Sequence, residues 1–196
     1  MLVLELARGD SLEGRIESGT TERWTESETL HVAAQLARGV AFLHAQQPPV
    51  IHRDLKPANI LFDEDGCPKL ADFGVCRVAN SATLTVFAVG TLLFAAPEQL
   101  QYSRYDVAVD VWALGCVFAC IAHNSNYPYP AFRGDEDVNL VASVARGTLQ
   151  PSVPPSHVLH AHVRDCAASA AAERPTAASL ARDLLERHAE VSKASD

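Results

Sequence analysis

The stretch VIHRDLKPANILF, Val50–Phe62, decides how the rest of the chain is read. Two apolar runs, Val50–Ile51 and Ile60–Phe62, bracket a loop that carries a carboxylate at Asp54, an ammonium at Lys56 and an amide at Asn59. The period then changes: ILFDEDGCPKLAD holds two short apolar runs joined by an Asp-Glu-Asp-Gly turn, the pattern of a small hairpin. Beyond the hairpin comes ADFG, with a second carboxylate at Asp72.

These residue types suit one chemistry. Asp54 can accept a proton from an incoming hydroxyl. A hard cation such as magnesium takes oxygen ligands, of the kind the Asp72 carboxylate and the Asn59 amide supply. Lys56 is a point positive charge suited to a phosphate in transfer. Together they describe phosphoryl transfer from a magnesium-bound nucleotide to an alcohol.

Upstream, MLVLELA reads as a strand and Ser11 as the N-cap of a short helix through Ile16. Thr25 and Glu28 form a capping box ahead of a long helix, with Leu36, Val40 and Leu43 on one face, that stops near Gln46 before Pro48 and Pro49. Downstream, Ala79–Gly90 reads as a loop, and Val107–Ala122 is apolar on every side, the mark of a helix inside the protein. Asn124–Pro130 reads as a turn, Val138–Arg146 as a short helix and Leu149–Pro155 as a connector. His157–Ala172 and Thr176–Val191 read as the last two helices. The expected fold class is mainly α (α+β), with one small hairpin beside the loop and one central buried helix.

Composition narrows the function classes. A chain of 196 residues that is 48% apolar can bury a core, so disorder is not expected. A net charge of −8 argues against nucleic-acid binding. The odd cysteine count of 5 reads as free thiols: Cys116 and Cys120 as small core residues, Cys76 as an inert thiol. His157, His160 and His162 read as surface histidines and not as metal ligands. No run is long enough to span a membrane, and MLVLELA lacks the basic lead of a signal peptide, so a cytoplasmic, intracellular protein is expected.

HRDLKPAN, DFG and GTLLFAAPE, in that order, resemble the catalytic loop, the metal-binding motif and the end of the activation segment of the eukaryotic protein kinases; DVWALG and ERP continue the match. The resemblance implies a protein-kinase-like C-terminal lobe using ATP and Mg2+, with protein substrates that carry Ser/Thr acceptors. It makes Asp54 the catalytic base, Lys56 a contact to the transferring phosphate, and Asn59 and Asp72 the magnesium ligands. His52 and Phe73 would stack in a column anchored to Asp110. Leu61 would lie beneath adenine, supported by Val117 and Ile121, and Glu98 would pair with Arg174 as a structural tie. Asp-Leu-Lys-Pro marks kinases of serine and threonine, and Thr91 would bridge Asp54 and Lys56. PPVIHRDLKP and CAASAAAERPT resemble the tyrosine-kinase-like group of these kinases. Arg53 would pair with a phosphate on Ser81, Thr83 or Thr85.

The chain departs from the family upstream. It has no Gly-rich loop over the phosphates, and neither the strand lysine nor the helix glutamate of the small lobe. By the resemblance, residues 1–8 are the last small-lobe strand and the hinge, with Leu4 at the gatekeeper position and Glu5 to Ala7 facing adenine. Residues 9–191 are the C-terminal lobe and 192–196 a tail. The expected partial domain is that of a serine/threonine kinase with little activity alone; a non-catalytic docking or regulatory module is the alternative. CAASAAAERP also lacks the family's usual Trp after the Cys and its Asp-Pro pair.

Overall fold

The structure is a computed structural model that describes residues 9–78, 89–130 and 137–194. Helices α1 (Leu12–Glu17) and α2 (Glu26–His44) come first, followed by four short strands: β1 (Val50–Ile51), β2 (Ile60–Phe62), β3 (Pro68–Leu70) and β4 (Arg77–Val78). Five helices follow: α3 (Pro97–Leu100), α4 (Ala108–His123), α5 (Asp137–Ala145), α6 (His160–Cys166) and α7 (Ala177–Ala194). The fold is thus mainly helical, with a small antiparallel hairpin.

Local chemistry sets most boundaries. Ser11 accepts the Gly14 N–H at the start of α1, and Thr25 and Glu28 close a reciprocal capping box on α2. Helix α4 ends on Asn124 in the left-handed region, at φ 46°. Its residues Val109–Ile121 are all buried, so its apolar sequence makes it the spine around which the other helices assemble. Helices α2 and α7 lie side by side, and α6 lies against α4. The latter approach is close: a Cβ on Gly115 would stand 2.9 Å from that of Cys166.

The hairpin pairs Ile60 with Leu70 and Phe62 with Pro68. Ile60 and Phe62 face the core while Leu61 points the other way, the alternation a strand imposes. A second antiparallel pair joins Val50 to Val78 and Ile51 to Arg77, binding the segment before the Asp54 loop to the one after ADFG. Two-residue strands carry no periodic signal, so this pair was not legible in sequence.

Two expectations need correction. The helix expected over His157–Ala172 is only His160–Cys166; Ala167–Ala170 leave helical geometry and Ala171–Glu173 form a 3-10 turn. The alanine-rich stretch favours helix locally, but the Arg174 guanidinium, held by Glu98 and the Ala108 carbonyl, takes the carbonyls of Ala168 and Ser169, and that tertiary demand wins. His162 is not a surface residue: it is buried, with Nε2 2.9 Å from Asp183 Oδ2 on α7. The opening strand and residues 79–88 of the expected loop lie outside the described residues.

Candidate active site

The loop between β1 and β2 is held from below by one carboxylate. Asp110, 1% exposed on α4, accepts the backbone N–H of His52 at 2.8 Å and of Arg53 at 2.9 Å. His44, at the end of α2, bonds the same carboxylate at 2.9 Å. These bonds fix the backbone where Arg53 adopts a left-handed φ of 71°, a conformation that costs a non-glycine residue about 1–2 kcal/mol. Sequence reasoning overlooked His44; a lone histidine in a last helical turn gives no local sign of a partner so far along the chain.

The polar groups converge on Asp54, which is buried at 9% exposure. Lys56 Nζ stands 3.1 and 2.9 Å from its two carboxylate oxygens. Asn59 Nδ2 donates to Asp54 Oδ2 at 2.7 Å and to its carbonyl at 2.8 Å. Asn59 thus spends its amide nitrogen inside the loop, so the amide oxygen is the group it can offer outward.

The residue before Asp72 is tied to the loop through its backbone. The Ala71 N–H donates to the Asn59 carbonyl at 2.9 Å, and the Ala71 carbonyl accepts from His52 Nε2 at 3.1 Å. Asp72 is exposed, sits at φ 58° and accepts the Gly74 N–H at 3.2 Å. His52 is therefore protonated on Nε2 and accepts the Asp54 N–H on Nδ1 at 3.4 Å. Burial pushes its pKa down, against the pull of Asp110, Ala71, Asp54 and Asp72, and favours this neutral form. The His52 and Phe73 rings lie 5.3 Å apart.

Leu61 and Phe73 face an apolar cavity of about 420 Å³ between the hairpin and α2, lined also by Leu36, Gly39, Leu43 and Leu70. Phe42 stands on its rim, 68% exposed. Val117 and Ile121 are buried in α4. Glu98 and Arg174 form a two-pronged ion pair at 2.7 and 2.9 Å.

Arg53 lines a small cavity with Phe94, Gln99 and Asp110. Thr91 belongs to the 3-10 turn Val89–Phe94; its side chain lies outside the described set. Glu5, Ala7, Ser81, Thr83 and Thr85 also lie outside the described residues. Among the described residues, no three histidine, cysteine or carboxylate side chains gather as a metal site, and no helix is long and apolar enough to cross a membrane.

The chain matches the protein kinase domain family over residues 1–189. It is 36% identical over 156 residues to calcium/calmodulin-dependent protein kinase type 1 of Caenorhabditis briggsae, across 78% of this chain and 41% of that protein. To cyclin-dependent kinase 20 of Rattus norvegicus it is 42% identical over 125 residues, 61% of this chain and 34% of the relative. It thus spans less than half the length of either relative.

Proposed function

The chain belongs to the protein kinase family, and on that premise we propose that it is the large lobe of a serine/threonine kinase that transfers the γ-phosphate of ATP to Ser/Thr hydroxyls of protein substrates. The observation that carries this is the Asp54 carboxylate, buried and bonded to both Lys56 and Asn59 in a loop anchored on Asp110.

Asp54 orients the substrate hydroxyl and takes its proton as the oxygen bonds to phosphorus and ADP leaves. Lys56 moves its charge from Asp54 to the phosphate, which frees the carboxylate as the transferring group arrives. A magnesium-bound nucleotide would supply the phosphoryl group and the metal's charge. The metal would be held by the Asn59 amide oxygen and the Asp72 carboxylate, two oxygen donors of the kind magnesium prefers. Leu61 and the apolar wall beside it suit the face of a purine.

The test is a fusion of this chain behind the small lobe of its calcium/calmodulin-dependent relative, assayed with labelled ATP and a generic Ser/Thr substrate. Transfer to serine and threonine that disappears in Asp54→Ala supports the proposal. The unfused chain should be slower by about two orders of magnitude or more, since it lacks preorganised charge contacts over the phosphates. A folded fusion that binds nucleotide without transferring phosphate would overturn the catalytic assignment in favour of a docking module.

A further inference from the structure

Three histidines hold the segment that leads into α6. His123 Nε2, at the end of α4, bonds the Ser152 carbonyl at 2.7 Å, and His160 Nδ1 bonds the Val153 carbonyl at 2.9 Å. The third bond runs the other way: His157 Nδ1 accepts the backbone N–H of Leu159 at 3.1 Å. The partners fix the proton positions. A carbonyl can only accept, so His123 and His160 carry protons at those nitrogens and keep their bonds when a second proton arrives elsewhere on the ring. A backbone N–H can only donate, so His157 presents a lone pair, and a proton on that nitrogen destroys the bond.

We propose that His157 is a proton-operated cap on α6: closed while its imidazole is neutral, opened when Nδ1 is protonated. Leu159, whose N–H it holds, is fully buried and is the N-cap residue of α6. The turn around it is tight, with His157 N–H on the Pro154 carbonyl and His160 N–H on the His157 carbonyl, both at 2.9 Å. The groups that act on the imidazole from other elements are His123 from α4 and Glu26 from the first turn of α2. Burial foremost, and then His123, push the His157 pKa down, while Glu26 pulls it up. The cap therefore contributes its full stability above the ordinary histidine range and loses it as pH falls through the lowered folded value.

The experiment is amide hydrogen exchange by NMR on the full chain at about pH 7.5 and about pH 5.5, each rate divided by that of an unstructured peptide at the same pH. Leu184 of α7, buried and remote in sequence, is the reference. In the wild type, normalised exchange at Leu159 should rise about fivefold relative to Leu184 on acidification, the weight of one ordinary hydrogen bond. His157→Asn keeps an acceptor for the N–H two residues on but has no proton to gain, so its Leu159 should show no rise. His157→Ala should exchange fast at both pH values. A wild-type Leu159 insensitive to pH, a rise of equal size in His157→Asn, or a loss shared equally by Leu184 would each overturn the proposal.

Discussion

Replacing Arg174 tests whether the late helices are tied to Glu98 and the start of α4 by one guanidinium. Its side chain has no exposed surface, and its five bonds reach four residues: Glu98 twice, and the carbonyls of Ala108, Ala168 and Ser169. The guanidinium also lies 5.1 Å from the centre of the Trp112 ring. Arg174→Met keeps the bulk but leaves a carboxylate and three carbonyls without their donor, and removing one partner of a buried pair costs about 3–5 kcal/mol. Arg174→Lys offers three donors without the planar fork and should lose about 2 kcal/mol. Glu98→Gln leaves the three carbonyl bonds in place and should cost about 1–2 kcal/mol. The double variant Glu98→Gln/Arg174→Met should be less destabilised than the sum by about 1–3 kcal/mol, because neutralising Glu98 removes the stranded charge. Urea unfolding followed by far-ultraviolet circular dichroism reads these values; with m of about 2 kcal/mol/M, Arg174→Met should lower the midpoint by about 2 M. A loss under about 1 kcal/mol for Arg174→Met, or strict additivity in the double variant, would refute the reasoning.

Gly115→Ala places a Cβ 2.9 Å from that of Cys166 and should destabilise by about 1–3 kcal/mol in the same assay; adding Cys166→Ala should bring no rescue, since the clash is with Cβ and not with sulfur. Tyr102 sits at φ 54° and is 71% exposed, so Tyr102→Gly relieves backbone strain at little cost in packing. A net gain of about 0.5–1 kcal/mol, seen as a melting temperature about 1–4 °C higher, is expected; a lower one would contradict it. The Cys76 thiol donates to the His52 carbonyl at 3.5 Å and is pushed up to about 11, chiefly by burial. At pH 7.5 the thiol form therefore dominates, so iodoacetamide should alkylate Cys76 far more slowly than a cysteine in an unfolded peptide; equal rates by mass spectrometry would be inconsistent with the structure.

Much of the frame was legible because its signals are short-ranged. The capping box of Thr25 and Glu28, the Ser11 cap and the all-round apolar run of α4 each act within a few residues, and each marks an element of the structure. The hairpin was readable for the same reason: its turn chemistry sits between its two strands. Legibility failed where a distant group overrode local preference. Ala167–Ala172 has the composition of a helix, yet Arg174, held by Glu98 from far along the chain, claims two of its carbonyls. His162 looked like a surface residue until α7 brought Asp183 to it.

The candidate site divides along the same line. By itself the sequence determined which groups share one loop, Asp54, Lys56 and Asn59, since six residues of chain keep them within reach of each other in any compact form. It also determined that one helix must be buried, since α4 has no polar face to give to water. Only the tertiary structure decided that Asp110 takes the His52 and Arg53 N–H groups, that His44 joins them, and that Ala71 bonds Asn59 and so sets Asp72 beside the loop. The physical reason is that a buried N–H or carboxylate needs a partner, while nothing local in the chain says which one; that choice is made when packing around α4 brings distant segments together.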